Sequence, residues 1–433
     1  MRKRVLAILM ALVALCAFAV AEETAEDWVK KGDELYENGS YEGAANSYDK
    51  ALQFYNESIE HNPEVSASIQ PEEVWNKTYG GDGFDLGSSV QETCDGGYII
   101  TGWTNSYGAG GLDVLLIKTD SDGNEEWKKT FGGSKDDGAC SVQETYDGGY
   151  IIIGLTESYG AGDSDVWLIK TDPDGNKVWD KTFGGPNYDQ GSSVQETYDG
   201  GYIITGLTES YGAGDSDVWL IKTDPDGNKV WDKTFGGSSR DRSESIKVTT
   251  DDGYIIVGFT ESYGAGNRDV WLIKTDSDGN TVWDKTFGGS NDDIGTSVHQ
   301  TSDKGYILIG SANSQTDAKS GRLVEDLWLI KTDPNGIEEW NKTFRFGESS
   351  VGISVQETND GGYIIASQGF RTDAIIKTDS LGVKLWDITY GDKRGHPTIR
   401  SVQETGNGEY VFTGQFGGYE GDTDVLLIKI NET

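Results

Sequence analysis

From residue 73 onward the apolar positions fall in short alternating runs cut by glycine-rich turns. Ser193-Val194-Gln195-Glu196-Thr197 alternates, Asp199-Gly200-Gly201 turns, and Tyr202-Ile203-Ile204-Thr205-Gly206 is β-branched and aromatic, which predicts a two-stranded hairpin. After the loop Glu209-Ser210-Tyr211-Gly212-Ala213-Gly214, residues 217–222 predict a third strand. Asp224-Pro225-Asp226-Gly227-Asn228 predicts a tight turn, and residues 230–235 a fourth strand. The phrase typified by Trp179-Asp180-Lys181-Thr182-Phe183-Gly184-Gly185 starts first at Trp75. It returns at Trp127, Trp179, Trp231, Trp283, Trp340 and, weakened, at Trp386, at intervals of 52, 52, 52, 52, 57 and 46 residues. Lys118, Lys170, Lys222, Lys274, Lys331, Lys377 and Lys429 keep the same beat, so there are seven units. Four short antiparallel strands in each unit of ~50 residues is the pattern of a β-propeller blade.

The ends of the repeat region are complementary. It opens on a lone fourth strand around Trp75 and closes on a third strand at 424–430, so residues 74–79 are expected to complete blade seven and close the ring, hiding two sheet edges. The fold class is therefore all-β: a seven-bladed propeller of four-stranded blades over residues 73–433, closed by the N-terminal strand and preceded by a short α-helical hairpin. That hairpin is predicted over 22–61, with 62–72 as linker. Ala25, Trp28, Gly32, Leu35, Gly39, Ala44, Tyr48 and Ala51 match the spacing of one tetratricopeptide repeat, and Thr24 with Asp27 forms a capping box. One such repeat cannot bury its own faces, so it is expected to dock on the propeller or on a partner.

Residues 1–21 carry a basic head (Arg2, Lys3, Arg4), an apolar run from Val5 to Val20 and a small-x-small site at Ala19-Val20-Ala21, the pattern of a secretory signal peptide. The expected location is secreted, extracellular or envelope-associated, with no transmembrane segment in the mature chain. Acidic residues outnumber basic ones by 73 to 36, a formal net charge of −37, which excludes a nucleic-acid partner for want of a cationic surface.

The stretch Lys222-Thr223-Asp224-Pro225-Asp226-Gly227-Asn228-Lys229-Val230-Trp231 resembles the tryptophan-docking repeat of quinoprotein-type (PQQ-like) propellers, and the Tyr-Gly-Ala-Gly and Asp-Gly-Gly-Tyr phrases are similar to repeat proteins of prokaryotic cell surfaces. The resemblance implies fold rather than activity. Quinoprotein dehydrogenases have eight blades and adjacent cysteines, and this sequence has neither, so no quinone cofactor is expected. A tryptophan at one strand position in every blade is read as core between blades, as are Tyr98, Tyr150, Tyr202, Tyr254, Tyr306, Tyr363 and Tyr410.

Candidate chemistry gathers at the end of the blades where the d–a and b–c loops emerge, strands being lettered a to d outward from the axis. Asp113, Asp165, Asp217 and Asp269, with Asp326, Asp373 and Asp424, precede strand c, and Asp85, Asp137, Asp189, Asp241 and Asp293 fall in the d–a loops. The plain reading is that each caps its loop by accepting backbone N–H bonds; the sharper one is an acidic ring that binds calcium or a cationic ligand. Tyr107, Tyr159, Tyr211 and Tyr263 sit in Ser-Tyr-Gly-Ala-Gly loops on the same face, where aromatics over glycine-rich loops suit a sugar or protein surface. His61, His299 and His396 lie too far apart for a triad or zinc site and are read as surface or inter-blade residues. Cys94 and Cys140 are expected to be free thiols.

Residues 141–178 and 193–230 differ only at Ile153 versus Thr205, so the blades repeat the same groups around a ring. That favours a secreted, non-catalytic cell-surface module that binds or scaffolds protein or glycan ligands. The alternative is a carbohydrate-active propeller of endoglucanase-like type. Irregularity, and with it any asymmetric site, is expected in blades five to seven, at residues 314–325, 368–372 and 392–398.

Overall fold

The computed structural model describes residues 71–316, 323–391, 397–417 and 422–432, with a few isolated positions between 28 and 50. The described strands form seven four-stranded antiparallel sheets. Blade three is typical: strand a is Asp189–Glu196, b Tyr202–Thr208, c Asp217–Thr223 and d Lys229–Phe235. Blade seven pairs Thr398–Glu404, Tyr410–Gly417 and Thr423–Glu432 with Pro71–Tyr79, so the N-terminal strand closes the ring as the complementary ends predict. That strand starts inside the segment read as linker. The signal peptide at 1–21 and most of the hairpin at 22–61 lie outside the described residues. No helix is delineated among the described residues, which gives the hairpin no support; Trp28, Lys30, Lys31, Leu35, Gly43, Ser47 and Lys50 are helical only as isolated positions. No described helix is long and apolar enough to cross a membrane.

Strand a begins at the aspartate, four residues before the alternation predicts. A bulge explains the difference: Gly191 pairs with Gly206 and Ser193 with Thr205, leaving Ser192 as an extra residue that breaks the period of two. A Cβ on Gly206 would lie 1.9 Å from the Gln190 carbonyl oxygen, so the bulged approach requires glycine there. Strands b and c are buried on both faces because each blade is packed between two others. In one such layer Ile203, Val218 and Leu220 of blade three meet Ile246, Tyr254, Ile256 and Trp271 of blade four.

Two further layers tie blade to blade. The tryptophan of each outer strand packs against the tyrosine of the next blade's strand b, as in Trp179 with Tyr202 at 5.8 Å and Trp386 with Tyr410 at 5.8 Å. The same ring lies over the left-handed glycine of the next blade's c–d turn: Gly227 has φ 74°, and a Cβ there would come 2.6 Å from Trp179. The inner layer is polar and uses Gln-Glu at the end of strand a. Gln143 Oε1 accepts the Glu196 N–H of the following blade at 2.7 Å, and Glu196 Oε2 accepts the Tyr146 N–H of the preceding one at 2.8 Å. Gln91, Gln195, Gln356 and Gln403 repeat the first bond, to Glu144, Val248, Glu404 and Glu92.

Candidate functional site

Strand starts and tight loops position the rim aspartates. Asp137 Oδ2 accepts the Gly133 N–H at 2.8 Å, and its Oδ1 the Thr156 hydroxyl. Asp189 accepts Gly185 N–H at 2.8 Å and the Ser210 hydroxyl at 2.6 Å; Asp85, Asp241 and Asp293 accept Gly81, Gly237 and Gly289 in the same way. At strand c, Asp113, Asp165, Asp217 and Asp269 accept the N–H groups of Ala109, Ala161, Ala213 and Ala265 at 2.6–2.9 Å. All nine are buried, and they are the first residues of strands rather than loop residues.

The two sets meet across neighbouring blades. Gly132 lies between Asp113 and Asp137, where a Cβ would come 1.7 Å from one carboxylate and 3.0 Å from the other, and Gly236 lies likewise between Asp217 and Asp241. Burial first, and then the facing charges of Asp137 and Asp241, raise the Asp113 and Asp217 carboxyls above their ordinary value against the loop N–H bonds. These contacts are those of loop caps. Among the described residues no group of three or more His, Cys, Asp or Glu is arranged to hold a metal ion.

The loop tyrosines form a second layer over this one. Tyr159, Tyr211 and Tyr263 donate their hydroxyls to the carbonyls of Gly132, Gly184 and Gly236 at 2.8 Å, and their rings pack at 5.4 Å on Trp167, Trp219 and Trp271 of strand c. Each remains 46–47% exposed, so one face of a fixed ring is open to solvent. Tyr107 differs because Leu115 stands where the others have tryptophan. The Lys128 ammonium sits 4.2 Å from its ring centre, and the ring lines a groove of 790 Å³ with Asn105, Ser106, Leu112, Asp82 and Asp136.

The axis of the ring carries an asymmetry that the repeat comparison misses. Of Gln190, Ser192, Ser193 and Gln195 in strand a of blade three, the third and fourth lie in the wall of the channel. The third is serine in every blade: Ser89, Ser141, Ser193, Ser245, Ser297, Ser354 and Ser401. The fourth is glutamine except for Lys247 in blade four and His299 in blade five, and these groups line a cavity of 260 Å³. Irregularity is thus not confined to blades five to seven: strand a of blade four, Asp241–Val248, departs most from the repeat. Arg242 Nε lies 2.7 Å from Glu244 Oε1 there, and Gln190 Nε2 is 3.6 Å from Cys140 Sγ. Arg400 lies near Cys140 and the Asp373 carboxylate, its Nε without a hydrogen-bond partner.

His299, read as a surface or inter-blade residue, lines the channel; His61 and His396 lie outside the described residues. Burial, and next the neighbouring Lys247, lower the His299 imidazole to about 4 against a smaller opposing contribution from the Gln300 backbone, and no hydrogen bond is formed at its buried Nδ1. Burial lowers Lys247 and raises Cys140 and Glu244. Cys140 is the bulge residue of strand a in blade two, while Cys94 is exposed in the a–b turn; both are free thiols. The signal that could have found this site was a pair of letters at one repeat position, Lys247 and His299 where the other blades have glutamine.

No protein-family model and no curated protein matches the sequence. Among solved structures, the Pan2 WD40 domain of Neurospora crassa has a TM-score of 0.53 at 11% identity, covering 82% of this chain and 95% of that one. A protein from Lactobacillus plantarum gives 0.48 at 11% identity over 76% of this chain and 98% of its own. The extracellular domain of a two-component system from B. thetaiotaomicron gives 0.43 at 10% identity over 83% and 43%. At these identities the likeness is one of fold, a β-propeller, and reaches neither the quinoprotein family nor the tetratricopeptide repeat that the sequence resembles.

Proposed function

We propose that the protein is a secreted, non-catalytic binding or scaffolding propeller that recognises glycan or protein ligands through its loop face. The observation that carries this reading is the repeated aromatic platform: Tyr159, Tyr211 and Tyr263 are pinned by their hydroxyls, backed by tryptophan and open on one face. A ring fixed before binding loses little freedom when a sugar or a side chain stacks on it. The groove beside Tyr107 adds a polar cleft of 790 Å³ at one end of the row. Against the glycoside hydrolase alternative, the rim carboxylates are buried and engaged by loop N–H groups, which leaves them poorly placed as an acid and nucleophile.

The test is a glycan array with a parallel pull-down from envelope extract, using the full chain and the Tyr159→Ala, Tyr211→Ala, Tyr263→Ala triple variant. Binding that falls by roughly tenfold or more in the variant supports the reading, since stacked aromatics carry much of such interfaces. Binding unchanged in the variant, or cleavage of an arrayed oligosaccharide, overturns it.

A further inference from the structure

The channel wall is built from hydrogen-bond donors. A backbone N–H must find an acceptor, so each ring glutamine turns Oε1 toward the next blade and leaves its NH₂ for the lumen. Six of the seven serines, all but Ser245, line the same cavity. In five blades the residue after the ring position is glutamate: Glu92, Glu144, Glu196, Glu357 and Glu404. In blades four and five, Lys247 and His299 are followed instead by Val248 and Gln300. The acidic girdle is thus interrupted where the two basic groups enter. Among the described residues Lys247 forms no ion pair, and no hydrogen bond is formed at the buried Nδ1 of His299. Elsewhere in the inner strands Arg242 is matched by Glu244, and Arg400 lies near the Asp373 carboxylate.

Lys247 is half-buried in a narrow channel without an ion-pair partner, where a cation is less well solvated than in bulk water, and a bound anion relieves this. We propose that this sector of the channel binds a small oxyanion, held by Lys247, His299 and the amide NH₂ groups of Gln195 and Gln356. The cavity of 260 Å³ suits a phosphate-sized or small carboxylate ion with its water, and excludes a folded partner or polymer. Burial lowers Lys247 and His299, a shift that a bound anion opposes. The site is independent of the loop face.

The experiment uses calorimetric titration and melting of the full chain with inorganic phosphate and, separately, succinate, each against chloride at equal ionic strength. A saturable heat and a raised melting temperature are expected from at least one probe, because a ligand of the native state alone stabilises it. A phosphate response alone assigns a tetrahedral oxyanion, and a succinate response alone a carboxylate. Lys247→Gln with His299→Gln restores the repeat residues and supplies the two missing inter-blade acceptors, so the variant is expected to fold and to lose affinity by about tenfold or more. Lys247→Gln alone is expected to show the same loss and serves if the double variant does not fold. The tyrosine triple variant keeps the response. No saturable response to either probe, or an equal one in the glutamine variants, overturns the assignment.

Discussion

Blades three and four share one architecture and differ in how their inner strands hold their neighbours. In blade three, Gln195 accepts the Val248 N–H of the next blade and Glu196 the Tyr146 N–H of the previous one. In blade four the same places hold Lys247 and Val248, which offer no acceptor to either side. The outer strands hardly differ: Trp231 still packs on Tyr254's side of the interface as Trp179 packs on Tyr202's, at 6.3 and 5.8 Å. The ring therefore tolerates loss of its inner polar bonds in one blade because the aromatic belt and the buried b and c strands persist. The polar letters of the repeat are structural, and their replacement is where a sequence free of that duty can serve another.

The largest effect is expected from breaking blade three. Gln195→Ala with Glu196→Ala leaves two inter-blade N–H groups without their acceptors, at a cost of about 1–3 kcal/mol for the partly buried Val248 N–H and about 0.5–1.5 kcal/mol for the exposed Tyr146 N–H. Lys247→Ala removes a half-buried cation and no inter-blade bond, so it should leave stability unchanged or raise it. Urea unfolding midpoints for the two variants measure the contrast. If the blade three variant unfolds no earlier than Lys247→Ala, the inter-blade bonds contribute nothing and the comparison fails.

Most of the fold could be read from the sequence because each blade repeats its instructions. Trp179, Asp199-Gly200-Gly201 and Lys222 recur on one beat, and the solitary strand at Trp75 announced the closure. The start of strand a could not be read, since the bulge at Ser192 adds a residue and shifts the alternation. The rim aspartates and tyrosines were legible as positions but not as environments: a buried cap and an open acidic ring have the same letters. The channel site was hidden for another reason. Near-identity of residues 141–178 and 193–230 argues for uniformity, whereas the functional information lies at one position of the next two strands a, in Lys247 and His299. Their meaning depends on knowing that Gln195 and Glu196 bond across blades.

A second, smaller effect separates the blades by pH. His299 has a folded value of about 4 against an ordinary 6.5, with burial the larger cause and Lys247 the next. A lowered base contributes stability that is complete above the unfolded value and is lost as pH falls through the folded one, because the unfolded chain takes up a proton that the fold refuses. His299→Gln removes this loss. Its advantage over the native chain should therefore grow between pH 7 and pH 4, by on the order of 2 kcal/mol. The raised Asp113, Asp217 and Asp424 act in the opposite sense but are common to both proteins, so they cancel in the difference. Denaturant titrations at several pH values decide it; a difference that stays constant across that window would mean that His299 is solvated and titrates normally.

The smallest effect comes from repairing blade four at its other broken bond. Six turns receive a side-chain oxygen from the following blade, as Thr250 does from Gln300 at 2.8 Å and Cys94 from Glu144 at 2.8 Å. Tyr198 instead faces Val248. Val248→Gln copies the Gln300 arrangement and should add about 0.5–1.5 kcal/mol for the new bond. Some of that gain is offset, since Val248 is partly buried against the layer of Ile246, Tyr254 and Trp271. Val248→Glu supplies the same acceptor with a charge, and burial already raises the carboxyls of Glu196 and Glu404 at equivalent positions. A raised acid contributes stability below its unfolded value and loses it as pH rises, so the glutamate variant should be the less stable of the two at pH 7 and approach the glutamine variant near pH 4. Melting temperatures at both pH values provide the measurement. A glutamate variant that is the more stable at pH 7 would show that Lys247 lends it a compensating charge, and that the interrupted girdle is an electrostatic device rather than a missing bond.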